Sequence, residues 1–136
     1  MSGKIIIVGA TGYTGTALAK LLKQENIDCH LIGRNESELE KLANETGQSF
    51  SACSNVSDEQ SVSESLSSIT DDKIIGLAYC VGSIVLKSFQ TTKTDDFINT
   101  FNLNVTGAIH FIKKLQKQLA RSEEHTSELQ SQFRIS

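Results

Sequence analysis

Apolar residues along this chain follow two spacings, and the first consists of short continuous runs. These runs lie at 4–8 (KIIIV), 27–33 (IDCHLIG) and 74–81 (IIGLAYCV), with a weaker one at 49–53. Continuous runs of β-branched and aliphatic residues are typical of strands that are buried on both faces of a parallel sheet. The pattern therefore predicts four strands.

The second spacing is a step of three or four positions, which places apolar residues on one face of a helix. It predicts a helix at 12–26 and a second that begins at Asn35, because Asn35 and Glu38 have the spacing of a capping box. Ser57, with glutamine three residues later, predicts the start of a third. The longest apolar stripe, 97–119, predicts one long amphipathic helix or two abutting helices.

Strand and helix alternate four times, which sets the expected fold class. This alternation predicts an α/β domain with right-handed crossovers, a doubly wound parallel sheet and helices on both faces. We expect the strand order 3-2-1-4, with a ligand crevice where strands 1 and 4 diverge. A length of 136 residues suits one compact domain.

Composition narrows the classes of partner. The net charge of −3 and pI near 5.6 argue against a sequence-independent nucleic-acid binder, which needs a basic face. The three cysteines form no C-x-x-C pair and the three histidines share no ligand spacing, so we predict reduced thiols and no metal site. The start MSGKIIIVGATG predicts neither a signal peptide nor a membrane span, which favours a cytoplasmic protein without a membrane partner.

The strongest motif is VGATGYTG at 8–15, in which Gly9, Gly12 and Gly15 lie three apart between a predicted strand and a predicted helix. In dinucleotide-binding turns the first glycine permits a sharp turn, the second lets backbone N–H groups approach a pyrophosphate, and the third lets the helix pack closely. Phosphates would then lie at the positive end of the helix, where Thr11 and Thr14 could add hydroxyl donors. The alternative is a tight turn without a ligand.

Arg34 is the second signal, because it lies 19 positions beyond Gly15 at the end of predicted strand 2. NAD-binding proteins usually place an acid there for the ribose 2′-hydroxyl, whereas an arginine pairs with a 2′-phosphate. The sequence thus favours NADP(H) over NAD(H). The alternative is a surface arginine that balances Glu36 and Glu38. Asn35 could touch the same phosphate, although a capping role explains it equally well.

With these residues identified, the chain resembles the short-chain dehydrogenase/reductase family over residues 4–120. The glycine turn and GRN at 33–35 match in order, as do Asn55-Val56 after strand 3 and YCVG at 79–82 after strand 4. The resemblance implies a Rossmann domain. Motifs and resemblance together assign cofactor contacts to Gly9, Thr11, Gly12, Tyr13, Thr14, Gly15, Arg34, Asn35, Asn55, Val56, Cys80 and Gly82.

A further match is NVTG at 104–107, in the long helix. The family's catalytic tetrad includes an asparagine in this setting, so the resemblance gives Asn104 the role of holding a water in a proton relay. The alternative is a polar residue that faces solvent. The chain departs from the commonest family pattern at Tyr13, where the middle glycine is usual, and at Asn55 and Cys80, which leaves the subclass open.

The resemblance implies an NADP(H)-dependent oxidoreductase that moves a hydride between the nicotinamide and a small-molecule carbonyl or secondary alcohol, in a parent protein that forms homo-oligomers. The family's remaining catalytic groups are a serine and a Tyr-x-x-x-Lys step. Neither Tyr13, followed four residues later by Ala17, nor Tyr79, followed by Ser83, supplies that step. We therefore expect this chain to be inactive as encoded. A non-catalytic NADP(H) sensor or scaffold, or a truncated product without function, remains the alternative.

The C-terminal segment 121–136, RSEEHTSELQSQFRIS, breaks the apolar period of the preceding helix. Its first eleven residues resemble the translation of a common sequencing-library adapter. We expect residues 1–120 to be an incomplete nucleotide-binding domain, truncated after about four strands, and 121–136 to be a non-native polar tail. A native polar extension is the alternative.

Overall fold

The computed structural model describes residues 3–83 and 86–122. All four predicted strands are present, and strand 4 ends two residues earlier than the apolar run suggested. The elements are β1 Lys4–Val8, α1 Tyr13–Gln24, β2 Asp28–Gly33, α2 Glu36–Thr46, β3 Ser49–Ala52, α3 Glu59–Ser65, β4 Ile74–Tyr79, α4 Thr94–Phe101, a π-helical turn Asn102–Thr106 and α5 Gly107–Ser122, with short 3-10 turns at Ser67–Ile69 and Phe89–Thr91.

The four strands form one parallel sheet in the order β3-β2-β1-β4, which confirms the predicted fold class and strand order. Both faces of β1 are buried. Ile6 and Val8 face the layer formed with α3 and α5, whereas Ile7 packs on the opposite side with residues of α1 and α2. Burial on both faces explains why this strand is a continuous apolar run without alternation.

Two helix starts test the capping predictions. The Asn35 side chain accepts a hydrogen bond from the Glu38 backbone N–H at 3.1 Å, which confirms the predicted cap of α2. The predicted cap at Ser57 is wrong, because Asp58 caps α3. The Asn55 side chain accepts from the Ser57 N–H at 3.0 Å, and this short turn moves the helix start one residue along the chain.

The long apolar stripe becomes two α-helical segments joined by a π-helical turn. At that turn the Gly107 N–H donates to the carbonyl of Asn102, five residues back. One face carries exposed apolar side chains, among them Phe97, Phe101 and Ile112, each half or more exposed. α5 continues to Ser122, and the rest of the adapter-like tail, 123–136, lies outside the described residues. Among the described helices, none is long and apolar enough to cross a membrane.

A buried histidine joins β2 to β3. His30 is 1% exposed, and both ring nitrogens lie 2.8 Å from serine hydroxyls, Nδ1 from Ser49 and Nε2 from Ser51. The Ser51 hydroxyl donates to the Ser65 carbonyl, so it must accept from Nε2–H. Burial disfavours the charged ring, and in the neutral ring Nδ1 accepts from the Ser49 hydroxyl at 2.8 Å, since the other acceptor of that hydroxyl, the Cys29 carbonyl, lies farther away at 3.5 Å. His30 is therefore neutral, with its proton on Nε2.

We expect acid to destabilise the fold through His30. Burial, with a smaller contribution from Lys4, lowers the pKa of His30 from 6.5 to about 4, while Asp72 opposes the change. Between these pH values the unfolded chain binds more protons than the folded chain. The free energy of unfolding should therefore fall as the pH drops through this window, by roughly 2–3 kcal/mol between pH 7 and pH 4.5.

Urea denaturation at several pH values would measure this loss. His30→Leu is the matched variant, since it removes the titrating ring and leaves the other ionisable groups in place. Its stability should change less over the same pH range. An identical pH dependence in the two proteins would show that His30 does not carry the effect.

Candidate functional site

A cavity of about 820 Å³ opens at the carboxyl ends of the four strands, where the strand order predicts a crevice. The turn after β1 and the segment after β4 line it next to each other, and the residues that follow β2 and β3 line it as well. Its walls are formed by Val8, Gly9, Thr11, Gly12, Ile32, Gly33, Arg34, Asn35, Glu38, Cys53, Ser54, Asn55, Val56, Cys80, Val81, Gly82 and Leu103.

The turn after β1 is held against two neighbouring strands. Gly9 has a φ of +79°, and a Cβ there would lie 2.8 Å from backbone atoms of Cys80. The N–H groups of Gly9 and Ala10 both donate to the carbonyl of Ile32. A Cβ on Gly15 would meet the Gly9 carbonyl oxygen and the backbone of Ala10. Gly9 and Gly15 therefore let α1 start directly against the end of the sheet.

Gly12 differs from these two glycines because it is exposed and has open space around its Cα. A Cβ there would have only the Gly9 oxygen nearby, at 3.4 Å, and its φ of −74° suits any residue. No side chain caps α1, and its first turn carries no acidic residue. The first-turn N–H groups of a helix need a partner, and an anion is a favourable one. The turn fits a dinucleotide pyrophosphate.

The end of β2 carries the charges of the cavity. Arg34 is exposed, and within the described residues no carboxylate lies within ion-pair distance of it. The Asn35 side chain lines the cavity while it caps α2. Glu38, on the first turn of α2, lines the same cavity and was not among the residues predicted from the sequence. One cation and one anion thus share this end of the site.

The segment after β3 forms an uncharged wall. Asn55 is exposed and shapes the turn through its bond to Ser57, while Val56 is 6% exposed and its carbonyl oxygen lies 3.1 Å from Nδ1 of the His110 ring. Burial raises the pKa of the Cys53 thiol, and it also raises that of Cys80 across the cavity. Both thiols therefore stay protonated and contribute apolar surface to the cavity.

The segment after β4 is fastened to the π-helical turn by Asn104. Its side-chain oxygen accepts from the Ser83 N–H at 3.0 Å, and its amide nitrogen donates to the Ser83 carbonyl at 3.2 Å. Asn104 does not simply face solvent, since both ends of its amide are bonded to the backbone of the segment that lines the cavity. Its predicted role in holding a water stays a prediction.

The structure brings most of the predicted cofactor residues together and leaves some outside. Those that line the cavity are Gly9, Thr11, Gly12, Arg34, Asn35, Asn55, Val56, Cys80 and Gly82. Gly15 is buried behind the turn, whereas Tyr13 and Thr14 are exposed and do not line the cavity, nor does Asn104. Apart from Glu38, the lining residues that were not predicted lie mostly at the ends of strands or next to them. Their position at the end of an apolar run is the sequence feature that could have identified them.

Two other kinds of site, a metal centre and a disulfide, do not occur in the described part of the chain. No group of three or more His, Cys, Asp or Glu side chains among the described residues is placed to hold a metal ion. The three described cysteines carry free thiols.

Known structures share this fold. A serine dehydrogenase from Escherichia coli superposes with a TM-score of 0.79 at 17% identity, covering 88% of this chain and 57% of its own. A short-chain dehydrogenase/reductase from Vibrio parahaemolyticus gives 0.73 at 26% identity, with 83% and 51% covered. An actinorhodin polyketide ketoreductase with NADPH gives 0.81 at 17% identity, with 90% and 49% covered. The chain thus spans about half the length of these proteins.

Sequence comparison with curated proteins gives no match. The family model described as short chain dehydrogenase matches residues 3–126, which include the glycine turn, the end of β2 and the π-helical turn with Asn104. The chain therefore belongs to the short chain dehydrogenase family.

Proposed function

We propose that this chain is the NADP(H)-binding part of an oxidoreductase that acts on a carbonyl or secondary alcohol. The observation that carries the proposal is the position of Arg34, without an acidic partner in the described residues, in the same cavity as the exposed Gly12 turn. In this proposal the Gly12 turn binds the pyrophosphate of NADP(H), and Arg34 binds its 2′-phosphate.

The pyrophosphate is proposed to bind at the start of α1. The exposed Gly12 leaves room for it, and the uncapped N–H groups of the first turn supply donors at the positive end of the helix. Thr11 lines the same part of the cavity and can donate through its hydroxyl. Tyr13 and Thr14 would contribute mainly through their backbone N–H groups, because their side chains do not line the cavity.

The 2′-phosphate is proposed to bind Arg34, whose planar guanidinium can donate two parallel hydrogen bonds to it. Glu38 acts in the opposite direction, since its carboxylate lies in the same cavity and repels a phosphate. The preference for NADP(H) over NAD(H) is therefore a balance between the two side chains. Because both are exposed, salt should weaken each contribution.

A bound nicotinamide would supply the hydride chemistry, and the residues of this chain would supply only part of the proton transfer and substrate positioning. We assign Asn104 the part of the family's asparagine, whereas no Tyr-x-x-x-Lys step occurs in the sequence. We propose that the chain binds NADP(H) without turning over a carbonyl substrate, and that turnover and oligomerisation belong to a longer protein. The exposed apolar face with Phe97 and Phe101 suits such an assembly.

Charge variants at the end of β2 test the choice of cofactor. Arg34→Glu should weaken NADPH binding by roughly 10- to 150-fold and change NADH binding far less, because only NADPH carries the 2′-phosphate. Glu38→Gln should act in reverse and tighten NADPH. Isothermal titration calorimetry with each dinucleotide measures both. Lys41→Glu is the matched control, as this exposed α2 residue makes the same charge change without lining the cavity.

Tighter binding of NADH than of NADPH by the unsubstituted chain would contradict the Arg34 argument. Equal losses in Arg34→Glu and Lys41→Glu would mean that only the overall charge matters. In that case the 2′-phosphate would not be held at the end of β2.

A pair of glycine variants separates the phosphate site from the fold. Gly12→Ala adds a methyl group in open space, so the free energy of unfolding should stay within about 1 kcal/mol while NADPH and NADH both bind roughly tenfold more weakly or worse. Gly15→Ala places a methyl group against the Gly9 carbonyl and should cost about 1–3 kcal/mol or more. Urea denaturation and calorimetry measure these effects. Unchanged dinucleotide binding in Gly12→Ala would place the pyrophosphate elsewhere.

A further inference from the structure

Tyr79, the last residue of β4, makes an unusual tie to the long helix. Its hydroxyl donates to the Leu103 carbonyl at 2.5 Å, and its ring lies against Phe111 with a centroid separation of 6.2 Å. Burial raises the pKa of Tyr79 to about 12, so the hydroxyl keeps its proton and remains a donor. The side chain thus bridges the end of β4 and the π-helical turn.

The π-helical turn explains why a side chain can bind there. In a regular α-helix the Gly107 N–H would donate to Leu103, four residues back. In this chain it donates to Asn102 instead, and Tyr79 donates to Leu103. A Cβ on Gly107 would collide with the Tyr79 hydroxyl and lie 2.9 Å from Val56. The missing side chain at Gly107 therefore makes room for the hydroxyl.

The same turn carries the cavity wall. Leu103 lines the cavity, and its neighbour Asn104 holds both backbone groups of Ser83. Ser83 directly follows Cys80, Val81 and Gly82, which line the cavity beside the glycine turn. The position of this wall therefore depends on the position of the π-helical turn.

We propose that Tyr79 is a positioning residue: its bond to Leu103 fixes the π-helical turn so that Asn104 can clamp Ser83 and hold the 80–83 wall of the cavity. That the wall contacts a nucleotide rests on the function proposed above, whereas the link from Tyr79 to Ser83 does not. Tyr79 acts through Leu103 and Asn104 and need not touch a ligand.

Amide hydrogen exchange at Ser83, followed by NMR without nucleotide, tests the link. The Ser83 N–H donates to the Asn104 side chain, and Asn104→Ala removes this bond. The exchange rate of Ser83 in Asn104→Ala is therefore the reference for the fully released amide. Tyr79→Phe keeps the ring and removes the hydroxyl. It should speed Ser83 exchange by roughly 5- to 50-fold, because the half-buried Leu103 carbonyl loses its partner and the turn opens more often.

Thr46→Val is the matched control for a merely structural effect. It also removes one buried hydroxyl-to-carbonyl bond, from Thr46 to Leu42 at 2.7 Å, but in α2. Ser83 exchange should stay within about twofold of the original rate in this variant. If Tyr79→Phe leaves Ser83 exchange unchanged, or speeds it no more than Thr46→Val does, the proposal is wrong.

Gly107→Ala provides a second and independent test. Alone, it should displace the Tyr79 hydroxyl and speed Ser83 exchange about as much as Tyr79→Phe does. Combined with Tyr79→Phe it should add less than about twofold, since the Tyr79 hydroxyl, the atom nearest to the added methyl group, is then already absent. If the effects of the two substitutions on the Ser83 exchange rate multiply in the double variant, they do not act through one contact and the proposal is wrong.

Nucleotide binding gives the final readout. If the proposed function holds, Tyr79→Phe should weaken NADPH and NADH alike, by roughly 3- to 10-fold, because the displaced wall is common to both. If the unsubstituted chain binds neither dinucleotide, the proposed function fails while the exchange result still decides the role of Tyr79. Normal dinucleotide binding by Tyr79→Phe, together with fast Ser83 exchange, would show that the wall does not contact the ligand.

Discussion

The close approach of the first turn to the sheet underlies the whole site. Gly15 lies so near the Gly9 carbonyl and Ala10 that a methyl group on its Cα would collide with backbone atoms. Backbone atoms, unlike the end of a flexible side chain, cannot shift without moving the turn. Gly9 has a positive φ, and its Cα lies so close to the backbone of Cys80 that a side chain there would also collide. These contacts join β1, α1 and the end of β4 at one point. They also hold the exposed Gly12 turn at the edge of the cavity, where no side chain fills the space.

Parallel pairing explains why the remaining groups converge there. All four strands point the same way, so the residues that follow them meet at one edge of the sheet even though they lie far apart in sequence. Arg34, Asn55 and Gly82 come together for this reason. The buried His30 network, farther down β2 and β3, ties together the two strands that present Arg34 and Asn55.

Polar side chains at the edge of the cavity bond mainly to backbone groups. The geometry of this region therefore depends on a few individual hydrogen bonds, and the loss of one would disturb it. Asn104 binds both backbone groups of Ser83, Tyr79 binds Leu103, and His110 contacts Val56. Each bond joins α5 or the π-helical turn to a segment that lines the cavity. The bonds of Tyr79 and His110 are partly buried, so removing one partner there leaves a polar group without its bond, which is more costly than replacing both.

The sequence alone was enough for the fold class, the strand order, the glycine turn and the Asn35 cap, because each follows from local spacing and from general rules of chain connection. It was not enough for Ser57, where Asn55 formed a competing turn, or for Glu38, whose place in the cavity depends on how α2 lies against β2. Nor did it predict the π-helical turn and its ties to Tyr79 and Ser83. Apolar spacing predicts a helix and its apolar face, but only the packed structure decides how much of that face is covered and which carbonyl is released to a side chain from another element.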